Sequence, residues 1–285
     1  MASALFGGHV TSPCCDALDR AILSGMAYTR DSPEPLGPLW DLVLPLVYGR
    51  RQQQGFDIAG VAGTCFIPYP GVVVSCAHCF GGMNEWEYAL TRVPVDGAPA
   101  AVAMIRDVTS HDKGFDLAVG AFEDARFRPL PPFTIEEARI GMAVLAPGYP
   151  LPRRSRRSSA DPVVLEATVR GMRGHVTSDG IVTGLGKYGA LPSIELDLRP
   201  PGGLSGAPLF DWGLVQNPLK LVGVVRGSST VSAMHNEPFP SEDAPTDVEQ
   251  FTFGLASPSF AFRTLQGPPT GGVPLGELVA ARWPY

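Results

Sequence analysis

The spacing of apolar residues changes once along the chain. Between Ser12 and about Arg30, Ala17, Leu18, Ile22, Leu23 and Met26 recur at helical spacing, with Asp16 and Asp19 early and Arg30 late. That pattern predicts one amphipathic helix whose end charges suit its dipole. A proline-rich link (Ser32 to Pro38), an apolar run (Leu39 to Val47) and a polar turn (Arg50 to Gln54) follow, so residues 1–56 read as an extension. From Gly60 the texture becomes short β-branched runs bounded by glycine and proline: Val61 to Ile67, Val72 to Cys76, Ala101 to Ile105, Leu117 to Phe122, Met142 to Ala146 and Val163 to Arg170. Ile194 to Leu198, Leu221 to Val225 and Phe251 to Ala256 repeat it. Strands at this spacing, without helices between them, predict an antiparallel all-β sandwich or a pair of barrels. Leu275 to Arg282 predicts one short C-terminal helix.

Composition narrows the picture. The 285 residues are 45% hydrophobic and 18% charged, enough apolar surface for one domain or two small ones. The 33 Gly and 29 Pro make 62 of 285 residues, well above the roughly 12% of average usage. That much punctuation excludes a helix bundle, and without a repeating glycine triplet it is not collagen. A net charge of −6 argues against a nucleic-acid partner. The one basic cluster, Arg153, Arg154, Arg156 and Arg157, reads as a solvated loop. No apolar stretch is long enough to span a membrane, and no charged start leads into an apolar run as a signal peptide would, so the cytoplasm is the expected location. The five cysteines, Cys14, Cys15, Cys65, Cys76 and Cys79, are odd in number and are expected to be reduced.

Three short motifs carry the chemistry. Val72-Val-Val-Ser-Cys-Ala-His78-Cys79 is a buried strand running out into a histidine. In Gly114-Phe-Asp116-Leu-Ala-Val119 an acid precedes an apolar strand. Pro201-Gly-Gly203-Leu-Ser205-Gly206-Ala-Pro208-Leu-Phe210 packs small residues around a serine. Each alone fits a structural role: a packed histidine, a cap, a tight turn. Together they supply what a serine nucleophile needs: an imidazole to take its proton, and a carboxylate to orient and stabilise that imidazole.

The order His, Asp, Ser in these contexts resembles the trypsin-like (chymotrypsin-fold) serine peptidases. Gly63-Thr-Cys-Phe-Ile67, Leu221-Val-Gly-Val-Val225 and Phe253-Gly-Leu-Ala-Ser-Pro258 add to the likeness, which covers about Asp57 to Arg282. It implies an all-β fold of two antiparallel six-stranded barrels over 57–285, with the N-terminal helical extension before them and a short C-terminal helix at the end. His78 would be the general base, Asp116 its orienting carboxylate and Ser205 the nucleophile, with the Gly203 and Ser205 N–H groups as the oxyanion hole. Asp112 competes for the carboxylate role, and His111 is a spare imidazole. The aspartate eight residues before the serine, in Ile194-Glu-Leu-Asp197, is similar to the intracellular, HtrA-like branch. Leu204 stands where secreted members carry the aspartate that receives a new N-terminus, so that activation route is not expected. Ala207 replaces a usual glycine. Cys65 and Cys79 lie near the position of a disulfide that brackets the histidine in secreted members, which leaves a bridge open beside the reduced state.

Arg199, six residues before the serine, Arg226 and Gly254 fall where the resemblance places the substrate pocket. A basic pocket would disfavour cleavage after Lys or Arg and favour acidic or small side chains, unless both arginines point to solvent. Cys76-Ala-His-Cys79 lacks a second ligand pair at zinc spacing, so neither a metal nor a cofactor is expected. The expected function is a serine endopeptidase acting through an acyl-enzyme on a protein or peptide partner, with a regulatory partner docking at the extension as a further expectation. The alternative is a catalytically silent, protease-like binding module. An α/β-hydrolase esterase fits poorly, because the serine comes last and alternating helices are missing.

Overall fold

β-Branched runs cut by glycine and proline cannot satisfy their backbone groups alone and must pair with one another. A computed structural model describes residues 43–52, 55–82, 85–92, 101–155, 164–167, 169–183, 191–212, 219–234 and 248–282, and in it they pair as two seven-stranded sheets, one after the other in sequence, and one two-stranded sheet. The helix expected between Ser12 and Arg30, and any partner site on it, lies outside these residues.

The first sheet uses β1 (Leu44–Gln52), β2 (Gly55–Tyr69), β3 (Val72–Ser75), β4 (Glu87–Arg92), β5 (Ala101–Met104), β6 (Arg106–Ser110) and β7 (Ala118–Ala121), in the order β5-β4-β1-β2-β3-β7-β6. Its two edge strands are consecutive in the chain and separated only by Ile105. The sheet must therefore wrap until its edges meet, and six passes of chain surround one core. β1 pairs with both β2 and β4, so the first barrel takes its opening strand from before residue 57.

The second half contributes β8 (Phe133–Ile135), β9 (Ala143–Gly148), β10 (Arg153–Ser155), β11 (Val164–Glu166), β12 (Arg170–Thr183), β13 (Leu191–Leu196), β14 (Pro208–Asp211), β15 (Leu219–Met234) and β16 (Val248–Pro258). The order β14-β9-β12-β13-β16-β15 closes on itself through a β14–β15 pairing, giving a six-stranded antiparallel barrel, and β8 adds to β15 in parallel. Part of the arginine cluster read as a loop is instead strand β10, paired with β11. The run Val163 to Arg170 is split for the same reason, since β11 pairs with β10 while β12 pairs with β9. Two helices end the described chain, α1 (Ser259–Thr264) and α2 (Leu275–Arg282). The second matches its predicted span.

Alternation along single strands divides the core. On β3 Val73 faces the interior of the first barrel, whereas Val72 and Val74 face the second barrel. On β2 Cys65 and Ile67 point inward and Phe66 outward. A strand buried on both faces reads as an unbroken apolar run, which explains Val72-Val-Val. The inter-barrel layer gathers Phe66, Val74 and Leu117 from one side and Phe210, Leu221 and Val224 from the other, and α1 and α2 cover it with Phe262 and Val279, joined by Leu265 just after α1. Phe262 stacks on Phe66 at 5.9 Å.

One residue ties this layer to the serine loop. Thr64, fully buried on β2, donates its N–H to the Ser205 carbonyl at 2.8 Å and its hydroxyl to the Gly203 carbonyl at 2.8 Å. It accepts from the Tyr149 N–H on that hydroxyl at 3.0 Å and from Ser75 Oγ on its carbonyl at 2.7 Å. Glycine makes the approach possible: a Cβ on Gly206, at φ 89°, would collide with the Thr64 carbonyl and Ser75 Oγ. Thr64→Val keeps the shape but strands two buried backbone groups, so urea unfolding should show a loss of about 1–3 kcal/mol. Thr91 Oγ1 is buried with no hydrogen-bond partner among the described residues, so Thr91→Val should be neutral or stabilising in the same measurement.

Candidate active site

β3 ends at Ser75, and the chain turns at once. Cys76 stays extended (φ −70°, ψ 144°) and caps a 3-10 turn over Ala77–Phe80, closed by Cys79 N–H donating to the Cys76 carbonyl at 3.1 Å. The turn aims His78 at Asp116, two residues before β7. His78 N–H donates to Asp116 Oδ1 at 2.9 Å, and its ring Nδ1–H donates to Asp116 Oδ2 at 2.7 Å. An ionised carboxylate only accepts, so this two-point clamp places the ring proton on Nδ1 and the neutral ring's lone pair on Nε2. The Asp116 side chain is 6% exposed and that of His78 is 26% exposed: the acid is sequestered and the imidazole reaches the surface.

The competing groups are placed elsewhere. His111 is buried, with Nε2 against Thr264 Oγ1 at 3.0 Å and Nδ1 accepting from the Lys113 N–H at 3.1 Å. Burial pulls its pKa below the usual value, as suits a neutral structural histidine. Asp112 is exposed beside it.

Ser205 sits on a loop shaped by backbone hydrogen bonds. Leu204 N–H donates to the Pro201 carbonyl at 3.2 Å and Ala207 N–H to the Leu204 carbonyl at 3.0 Å. Gly203 is at φ 93°, a conformation that favours glycine. Ala207 has a negative φ, since Asp107 and Leu151 alone among the described non-glycine residues have positive values, so the missing glycine there costs no strain. Leu151, at φ 51° and 66% exposed, donates its N–H to the Gly202 carbonyl at 2.6 Å. In a planar trans peptide C=O and N–H point in opposite directions, so this bond turns the Gly203 N–H to the other face of the loop. Ser205 Oγ donates to the Arg226 carbonyl at 3.1 Å, and Cys79 Sγ lies 3.9 Å from the Ser205 carbonyl.

The three pocket candidates differ in placement. Arg199 is exposed. Arg226 is fully buried in the second barrel and donates through Nη1 to Ser193 Oγ at 2.7 Å. Gly254 is buried, and a Cβ there would lie 2.5 Å from the Leu198 carbonyl and 3.1 Å from Pro200 Cδ. Asp197 instead accepts from the N–H of His175 at 2.6 Å on the surface.

The cysteines beside His78 set its electrostatics. Cys65, Cys76 and Cys79 are free thiols. The Cys65–Cys79 bridge is absent for a structural reason: Cys65 Sγ donates to the Leu44 carbonyl at 3.4 Å, and the β2 residue facing Cys79 Sγ is Gly63, whose Cβ would lie 2.8 Å from it. Burial raises the Cys65 and Cys76 pKa values well above that of an ordinary thiol. Cys79 moves the other way, to about 6, because the Cys76 thiol and then the His78 ring hydrogen-bond to it. Burial pulls His78 down, but its hydrogen bonds to Asp116 and then Cys79 outweigh this and raise it to about 9. Ligand-type atoms of Cys76, His78 and Asp116 lie within 4.8 Å of one another. His78 and Asp116 already bind each other, and a neutral buried Cys76 thiol is a poor ligand.

Among the described residues no helix is long and apolar enough to cross a membrane. No curated protein matches the chain by sequence. Solved structures similar to it include the MamO protease domain from Magnetospirillum magneticum in its apo form (17% identity, 78% of this chain and 94% of that one, TM-score 0.47). The Rv3671c protease from M. tuberculosis in its active form is also similar (18% identity, 81% and 84%, TM-score 0.46). So is Deg5 (18% identity, 65% and 79%, TM-score 0.43). The family model for the trypsin-like peptidase domain matches residues 63–214, more than half the chain and the whole span from Gly63 through the serine loop, and the chain therefore belongs to the trypsin-like peptidase family.

Proposed function

We propose that the chain is a serine endopeptidase in which Ser205 attacks the scissile carbonyl, His78 takes and returns the proton, and Asp116 holds the imidazole. The observation that carries this reading is the double hydrogen bond from His78 to Asp116, which presets the tautomer that a general base requires. In the first half-reaction Nε2 accepts the Ser205 proton as Oγ bonds to the carbonyl carbon. Collapse of the tetrahedral intermediate expels the amine, protonated by His78, and leaves an acyl-enzyme that water then hydrolyses by the same relay. The Gly203 N–H, turned to the face opposite the Leu151–Gly202 bond, and the Ser205 N–H supply the oxyanion donors. The substrate is a protein or peptide.

The hydrogen bond from Ser205 Oγ to the Arg226 carbonyl favours a second reading, a silent protease-like module whose hydroxyl stays diverted. Fluorophosphonate labelling separates the two. The enzyme reading expects covalent labelling of the full chain, abolished by Ser205→Ala, and a loss in turnover on the order of 10⁴-fold or more for His78→Ala. An unlabelled, folded wild-type chain would favour the module.

Because His78 must be unprotonated to act and is raised to about 9, kcat/KM should climb with pH through that region. Cys79→Ser removes the acidic thiol beside the ring, so the acid limb should move down toward the ordinary histidine range. A wild-type limb already in the ordinary range, unmoved by Cys79→Ser, would contradict this account of the charge balance.

Arg199 is exposed and falls away from this role, whereas the buried Arg226, whose carbonyl accepts from Ser205 Oγ, puts a cation close to the site and disfavours a cationic side chain at the cleaved position. Profiling a peptide library should return little cleavage after Lys or Arg. Strong cleavage after Arg would overturn the assignment.

A further inference from the structure

The reaction above makes no covalent use of the three buried thiols beside His78. We propose that Cys76 and Cys79 form a reversible disulfide spanning His78, which switches the site off when peroxide reaches it. The switching rests on the peptidase reading. The bond itself does not.

Four observations support the pair. First, its spacing is Cys-x-x-Cys, and the Cys79 N–H to Cys76 carbonyl hydrogen bond at 3.1 Å closes the turn between the two residues. Such a turn holds its end Cα atoms within about 7 Å, which overlaps the roughly 4.4–6.8 Å that a disulfide requires. Second, both side chains pack in the core of the first barrel, and the neighbouring Cys76 thiol is the first cause of the lowered Cys79 pKa. Third, the competing thiol is turned away, with Cys65 Sγ donating to the Leu44 carbonyl. Fourth, the two sulfurs differ in chemistry. Cys79, acidified by Cys76 and His78, gives up its proton to become the nucleophilic thiolate, and the neutral Cys76 is the resolving partner. Cys79 keeps 4% exposure where Cys76 has none, and its Sγ lies 3.9 Å from the Ser205 carbonyl, so hydrogen peroxide, small enough to enter a closely packed site, is the oxidant.

The chemistry balances. The Cys79 thiolate attacks one peroxide oxygen and breaks the O–O bond. The departing hydroxide takes a proton to become water, and Cys79 becomes a sulfenic acid. Cys76 sulfur then attacks Cys79 sulfur, its thiol proton leaving with the hydroxyl as a second water. Two thiols are oxidised to one disulfide and one peroxide is reduced to two waters. An added dithiol reverses the bond by exchange.

The consequences fall on His78. Bond formation draws Cys76 Sγ from the Val225 carbonyl, which it contacts at 3.1 Å and which also accepts the Gly206 N–H of the serine loop at 2.8 Å. It also tightens the turn that sets the clamp on Asp116. A displacement of about 1 Å in such a group can lower the rate about a hundredfold.

The test treats the reduced full chain with hydrogen peroxide, blocks remaining thiols, and maps linkages by mass spectrometry after pepsin digestion, while peptide hydrolysis is followed in parallel. The expected result is a Cys76–Cys79 linkage, about a hundredfold loss of hydrolysis and recovery of both thiols and activity with dithiothreitol. Cys65→Ser should form the same bond, whereas Cys76→Ser should leave Cys79 unable to form it. A linkage to Cys65, oxidation of Cys79 only to sulfinic acid, or a bond that leaves hydrolysis unchanged would overturn the proposal. Should the reduced chain hydrolyse nothing, the linkage map still decides the bond, and only the peptidase reading fails.

Discussion

The site depends on the way Thr64 spends its hydrogen bonds. It belongs to the first barrel, yet its N–H and hydroxyl hold the carbonyls of Ser205 and Gly203, and its own carbonyl is held by Ser75 at the end of the strand that leads to His78. The proposed proton transfer requires Ser205 from one barrel and His78 from the other to be in register to within a fraction of an ångström. Packing of Phe66, Phe210 and Phe262 gives the seam its adhesion but little direction, because the hydrophobic effect is non-directional. The hydrogen bonds of one buried threonine, admitted by Gly63, Gly148 and Gly206, supply the direction.

The same logic explains the small residues around the site. Each glycine that faces Thr64 or the Tyr149–Pro152 segment stands where a methyl group would strike backbone or a catalytic-loop atom. The excess of glycine and proline thus serves two purposes: some close hairpins, and others let two barrels approach closely enough to share one site. Leu151 shows the complementary cost, a non-glycine residue in the left-handed region whose N–H orients the Gly202–Gly203 peptide. Strain of this kind is tolerated where surrounding structure enforces it.

The strands flanking His78, Asp116 and Ser205 were legible in the sequence because each motif is local: an apolar strand, a turn and one polar residue within about ten positions. Asp116 was separable from Asp112 by its place just before β7, and the clamp on His78 agrees. Thr64 was not legible, since its hydroxyl bond to Gly203 joins positions 139 residues apart and nothing local marks it. β1 was read as ending in a polar turn because Arg50, Arg51 and Gln52 lie in the exposed end of the β1–β2 hairpin, where a strand does not alternate. β8, only three residues long, offered too few residues for a period to emerge. The Cys76–Cys79 relationship could have been seen as a Cys-x-x-Cys motif. In the sequence that segment was weighed only as a metal site, which its spacing does not fit, and the pairing of its two thiols with each other was passed over.

The central claim is that one fixed geometry serves both nucleophile and oxyanion. A crystal structure of the chain after reaction with a fluorophosphonate tests it most directly. The account predicts phosphorus bonded to Ser205 Oγ, the hydroxyl's former contact with the Arg226 carbonyl broken, and the phosphoryl oxygen within hydrogen-bonding distance of the Gly203 and Ser205 N–H groups with the His78–Asp116 clamp intact. A phosphoryl oxygen turned away from both N–H groups, or an unmodified Ser205 still donating to Arg226, would contradict it.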